Sequence, residues 1–158
     1  MVDRIGVTLR GAPDEFRLSL WKRWVKQFWL DRIENRPAPL SVDEADGLIE
    51  WTVFLPPVFA DAVDTASRTS GFELKHTFLF SNLLKSDLLK EQPLAVIRLL
   101  VHILRPRADY TQHWYYLRPL HKRLKEIVGP EAILPLTEEL VRLGCISALE
   151  PDDDAQDT

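Results

Sequence analysis

The chain has 158 residues, 46% hydrophobic and 28% charged, which is enough to close one core without metals or disulfides. The net charge of -4 is uneven: residues 150–158 carry five acids and no base, leaving 20 bases against 19 acids elsewhere, without the basic excess usual in a nucleic-acid binder. A lone Cys145 excludes an internal disulfide, and the chain has no signal-like start and no apolar run of about 18–20 residues, so a cytoplasmic protein with no membrane partner is expected.

Residues 1–12 read as a lead-in, 13–149 as a single helical domain and 150–158 as an acidic disordered tail. The first long helix is expected from Pro13-Asp14 to Arg36, stopped by Pro37-Ala38-Pro39. At 100° per residue Leu18, Trp21, Trp24, Val25, Phe28, Trp29 and Ile33 share one face, opposite Lys22, Arg23, Lys26 and Asp31. Three of the five tryptophans lie on this face, so the other helices are expected to assemble against it. Ser41 to Glu44 forms a capping box, in which each side chain takes the other's backbone amide, and opens a helix to about Phe54. Pro57 suits the first turn of the next helix, which buries Phe59, Ala62, Val63 and Ala66 and closes at Ser70-Gly71.

Phe72 to Phe80 alternates like a strand, but a lone strand has no partner, so it reads as a loop entering a short helix through Leu83 and Leu84. Ser86-Asp87 caps one more turn. Pro93 opens PLAVIRLLVHIL, the expected central helix, and Arg105 to Asp109 reads as a turn. Trp114 to Val128 follows with Pro119 as a kink or a fresh start, Gly129-Pro130 is a stop and restart, and a last helix through Leu143 is capped by Gly144. Pro57, Pro93 and Pro130 lie 36 and 37 residues apart, each opening the second helix of a pair. The expected fold is all-α with six to seven helices, either an irregular bundle or a short HEAT-like α-solenoid of stacked helix pairs.

No enzyme is expected. His76, His102, His113 and His121 have no metal-ligand spacing, Cys145 sits among apolar residues, and phosphate-loop, G-x-S-x-G and H-E-x-x-H motifs are absent. Neither a catalytic residue, a cofactor nor a metal is therefore assigned. The acid pairs Asp43-Glu44 and Glu138-Glu139 read as a helix start and a solvated face. Two surfaces suggest binding. In the first, Trp114 and Tyr115 are flanked by Arg105, Arg107, Arg118, Lys122 and Arg123, as in sites that stack bases and neutralise phosphates; the alternative is core aromatics beside a wet face. The second is Arg32, near the middle of the aromatic face. It either pairs with an acid of a neighbouring helix, Glu50 first, or awaits an acid on a partner.

Between Trp24 and Ala66 the run WVKQFWLDRIENRPAPLSVDEADGLIEWTVFLPPVFADAVDTA resembles a bacterial helical domain of unknown function (4020 type) found at the C-terminal end of large sirtuin-like anti-phage defence proteins. The resemblance rests on Phe28-Trp29, Arg32, Pro37, Pro39, Leu40, Glu44, Glu50-Trp51 and Ala62-Val63, with Leu83 to Leu88 and Trp114 to Leu124 compatible. It implies a sensing or scaffold region and transfers no NAD chemistry, because no catalytic residue has a counterpart in this chain. The expected function is a non-enzymatic helical interaction module with a protein partner, either its parent defence protein or a ligand protein. The alternative is a nucleic-acid-binding domain using the Trp114 to Lys125 surface, and a further reading is oligomerisation through an exposed helix face.

Overall fold

The computed structural model describes residues 8–9, 11–35, 41–68, 77–106 and 114–145. Among them every regular element is helical and no strand occurs: the fold is all-α. In chain order the helices are α1 (Asp14–Leu20), a π-helical turn (Trp21–Val25), α2 (Lys26–Glu34), α3 (Val42–Val53), α4 (Pro56–Arg68), α5 (Thr77–Lys85), the single turn α6 (Leu88–Glu91), α7 (Pro93–Leu104) and α8 (Trp114–Arg142). The expected loop up to Phe80 is corrected, since Thr77 to Phe80 already form the first turn of α5. Residues 36–40, 69–76 and 107–113 lie outside the described residues, and so do the expected stops at Pro37 and Ser70-Gly71 and the acidic segment after Leu149.

The aromatic helix departs from a uniform α-helix at its centre. Trp21, Val25, Trp29 and Ile33 are all buried, and they recur every four residues. In an α-helix each such step drifts by about 40°, so three steps would swing Ile33 about 120° away from Trp21. The π turn, at roughly 80° per residue, winds back by a similar amount and keeps all four residues on the core. The same turn carries Trp24 to roughly 115° from Trp21. Trp24 is accordingly 72% exposed, a correction to its expected place on the buried face. Trp21 and Trp29 meet with ring centroids 6.0 Å apart, Phe28 stacks on Trp51 of α3, and the Trp29 Nε1–H donates to the Leu48 carbonyl at 2.8 Å. That bond satisfies the one polar group that burying Trp29 would otherwise strand.

The expected capping box on α3 forms by half. Ser41 Oγ accepts the Glu44 amide at 3.2 Å, while the Glu44 carboxylate turns to Arg32 rather than back to Ser41. Arg17 locks α1 to the end of α3 by donating to the Phe54 carbonyl at 3.0 Å. The lead-in contributes to the core as well, because Leu9 is fully buried. Helix α4 presents Phe59, Ala62, Val63 and Ala66 inward as their helical spacing requires.

Helix α7 is the centre of the molecule. It buries Ala95, Val96, Ile97, Leu99, Leu100, Ile103 and Leu104 and packs against α4, α6 and α8. Helix α8 is two arms. Its backbone is helical except at Gly129 (φ 82°, ψ 174°), a conformation essentially reserved for glycine, and Pro130 restarts the helix. His121 Nε2 and Thr137 Oγ1 lie 2.8 Å apart at nearly equal distances along the chain from Gly129, so the arms run antiparallel. Pro119 and Pro135 each sit six residues into their arm and both are accommodated without a break. Cys145 is buried, and Gly144 (φ 77°) closes the second arm with the Cys145 amide on the Leu140 carbonyl.

Candidate functional site

The charges that look most available in the sequence are in part structural. Arg32 donates from Nε and Nη2 to the two carboxylate oxygens of Glu44, both at 2.7 Å, so the charge on the aromatic face is met by α3. The expected partner Glu50 instead accepts from Asn82 of α5. A two-pronged geometry holds the guanidinium plane as well as its charge. The hydrogen bond from Arg32 keeps the Glu44 carboxyl below its usual value, and the same bond raises the arginine.

A second ionic cluster stands where α7 ends against the second arm of α8. Glu139, expected on a solvated face, is buried and receives Arg105 Nε at 3.1 Å and Arg142 Nε at 2.7 Å. Arg142 also donates to the carbonyls of Leu104 and Arg105, at 2.8 and 3.1 Å, and so caps α7. Burial works to raise the Glu139 carboxyl, but the hydrogen bonds from Arg142 and Arg105 pull it down further, and the net shift is downward. Arg105 is therefore drawn away from the aromatic-basic surface and into a clamp. Arg123 makes a similar contribution to α5, donating to the Leu84 carbonyl at 2.9 Å near the end of that helix.

Three further members of the aromatic-basic surface are Tyr115, Arg118 and Lys122. They are exposed on one stripe of the first arm, opposite the buried Leu117, Leu120 and Leu124. Arg107 lies outside the described residues, as does the side chain of Trp114, whose backbone opens α8. Beside the stripe runs a groove of about 470 Å³ between α5 and the first arm, walled by Leu84, Tyr116 and Pro119 and rimmed by Lys85, Tyr115 and Arg118. Tyr115 is 81% exposed, more than any other large hydrophobic side chain among the described residues, and it meets Tyr116 edge to face at 5.4 Å. Leu84 and Lys85 are thirty residues away in sequence from the tyrosines. Only the packing of α5 on α8 brings the two sides together, and no local pattern announces it.

Two other concavities are less suited to binding a charged partner. A groove of about 450 Å³ between α7 and the second arm has its bases already engaged, Arg98 with Asp64 at 3.2 Å and Arg105 with Glu139. A smaller one of about 230 Å³ lies between the π turn and α4, over Trp21 and Trp29. His121, in the wall between the two arms, is buried and held below its usual imidazole value by that burial and by Lys125, so it stands neutral at pH 7. Among the described residues no three His, Cys, Asp or Glu side chains gather as a metal site, and no helix is long and apolar enough to cross a membrane.

Compared with known proteins, residues 5–113 match the model of a domain of unknown function, DUF4020. No curated protein and no solved structure matches the chain. The matched stretch reaches from the lead-in past the end of α7, so it holds the α5 side of the groove and stops just before the tyrosine side.

Proposed function

The chain belongs to the DUF4020 family, and from that premise we propose that it is a non-enzymatic protein-interaction module whose working surface is the groove between α5 and the first arm of α8. The supporting observation is the pairing of an 81% exposed Tyr115 with an apolar groove rimmed by Lys85 and Arg118 on rigid helices. Rigid aromatic anchors beside a cationic rim suit a protein segment that carries an apolar side chain and an acid. The resemblance to the C-terminal region of sirtuin-like defence proteins supports a cytoplasmic place as the sensing or scaffold part of an anti-phage system. Its partner there is the parent defence protein or a ligand protein.

A random peptide display selection on the full chain tests this reading. Counter-selection uses a Tyr115→Ala, Arg118→Glu variant of unchanged circular dichroism. Enrichment of acidic-apolar sequences that the variant does not retain supports the groove; equal recovery on both proteins removes it.

The second reading is single-strand nucleic-acid binding along Tyr115, Arg118, Lys122 and Lys125, favoured by the exposed ring beside three bases. It is weakened by the engagement of Arg32, Arg105 and Arg123 within the fold. Oligonucleotide titration separates the two: an affinity that falls steeply with salt, with a log-log slope near -2 for about three phosphate contacts to a single strand, favours nucleic acid.

A further inference from the structure

The geometry of the α8 hairpin points to an occupant for this groove within the chain itself. We infer that the acidic segment 150–158 docks in cis on the rim formed by Lys85, Arg118 and Lys122, and competes there with an external partner. The inference rests on the reading of the groove as a peptide site and adds its regulation.

Three observations lead to it. First, the two arms of α8 fold back about Gly129, with His121 against Thr137, and this sets Cys145 level with the first turn of the helix that carries Tyr115 and Arg118. Arg142 reinforces the placement, since it is bonded to the carbonyls of Leu104 and Arg105, the residues that lead toward the start of α8. Whatever follows Cys145 thus departs from the groove end of the hairpin. Second, the reach is sufficient. Four residues separate Cys145 from Glu150, so the five steps between them span about 17 Å when extended, and Asp157 lies within about 40 Å, while Arg118 is one helical turn in from the start of α8. Third, the charges are complementary. Glu150, Asp152, Asp153, Asp154 and Asp157 have no base among them, and the groove rim presents Lys85 and Arg118 with Lys122 one turn further along the same exposed stripe. A tether this short raises the local concentration of the acidic segment to the millimolar range, so weak surface attraction is enough to hold it there much of the time.

The test is zero-length carbodiimide coupling of carboxylates to amines on the dilute, full-length chain, with the joined peptides mapped by mass spectrometry. Equal amounts of ¹⁴N- and ¹⁵N-labelled chains are mixed beforehand. The expected result is coupling of Asp152 to Asp157 with Lys85 and Lys122 within one isotope, reduced several-fold at 0.5 M salt, with Lys22 and Lys26 on the aromatic helix left unmodified by the acidic segment. Coupling spread evenly over all lysines, coupling between isotopes, or none at all would overturn the inference. In parallel, a full-length variant with Glu150→Gln and Asp152, Asp153, Asp154 and Asp157→Asn should bind the selected peptides more tightly. The gain is about tenfold if the segment occupies the groove nine-tenths of the time, and unchanged affinity counts against docking. Peptides that bind with no specific coupling sink the cis inference alone, whereas specific coupling without any peptide binding sinks the partner-site reading.

Discussion

The aromatic helix at the start of the chain and the hairpin at its end both look, from their apolar periodicity, like long helices with an interruption to explain, and they are interrupted by different physics. In the hairpin the break is a backbone conformation, Gly129 at φ 82° and ψ 174°, which nearly every other residue avoids. In the aromatic helix the break is a change of hydrogen-bond register over Trp21–Val25, made with no glycine or proline, and the helix stays continuous. The hairpin break redirects the chain. The π turn redirects side chains, holding four residues on the core and turning Trp24 out. The two regions also treat ions differently: a single arginine meets one carboxylate across α2 and α3, whereas Glu139 collects two arginines and caps α7 through one of them.

The sharpest way to break the comparison is at the point that the π turn protects. Trp29 is 2% exposed and holds the Leu48 carbonyl, so Trp29→Ala removes a large side chain and a hydrogen bond together. A loss of about 3–5 kcal/mol is expected in urea denaturation, enough to unfold a marginal domain outright. A loss under about 1 kcal/mol would mean that the aromatic helix is peripheral to the core.

Next is the hairpin. A Cβ added at Gly129 meets no atom within 4 Å, so Gly129→Ala reports backbone strain alone. The expected cost is about 1–3 kcal/mol. Because the strain acts on the turn and not on packing, Gly129→Ala should also loosen the His121-Thr137 contact, read as faster amide exchange near the turn.

How much of this the sequence disclosed follows the same division. Gly129-Pro130, Pro93 and Ser41 are each punctuated by a residue with its own backbone or capping preference, and the expected boundaries at those points agree with the observed helices. The inward face of α4 was also legible, since its spacing is that of a regular helix, and α7 was legible as the central helix from its apolar run. The π turn was not, because a register change leaves no compositional trace. Its only hint is the strict four-residue recurrence of Trp21, Val25, Trp29 and Ile33, which a 100° projection treats as drift. Charge partners were legible only in kind. Arg32 needs an acid, but the choice of Glu44 over Glu50 depends on how α2 and α3 cross, and the burial of Glu139 depends on where α7 ends. The groove was half legible: Tyr115 and Arg118 lie in one aromatic-basic run, while Lys85 and Leu84 come from a helix thirty residues earlier.

Acid pH separates the ionic clusters from the packing. The Glu44 and Glu139 carboxyls are both held below their ordinary value of 4.5 in the folded protein, so the unfolded chain takes up those protons first. Their contribution is complete above about pH 4.5 and is lost as the pH falls through the lowered folded values. His121 adds an earlier slope. Its imidazole is held below 6.5 mainly by burial, so unfolding becomes more favourable once the pH drops under that value. Glu139→Gln should cost about 1–2 kcal/mol at pH 7 and Glu44→Gln about 1 kcal/mol, discounted because the arginines retain access to water. Each should flatten the stability profile between pH 5 and 3, as measured by denaturant midpoints. An unchanged profile in the double variant would remove both clamps from the acid response.

The smallest expected effect is the most discriminating. Trp24→Gln alters a tryptophan only five positions from Trp29, in the same apparent aromatic face, yet 72% of its surface is already in water. If the π turn sets the register, the substitution removes little buried area and shifts stability by no more than about 0.5 kcal/mol. If instead the segment winds as a uniform α-helix in solution, Trp24 returns toward the core beside Trp21, and the same substitution buries an amide among apolar side chains at a cost of about 1–3 kcal/mol. Fluorescence gives a second readout on the same variant. Loss of an exposed indole leaves the emission of the remaining, more buried tryptophans shifted to shorter wavelength, whereas loss of a buried one shifts it the other way. The two outcomes have opposite signs, so the register of this helix is decided without reference to the rest of the fold.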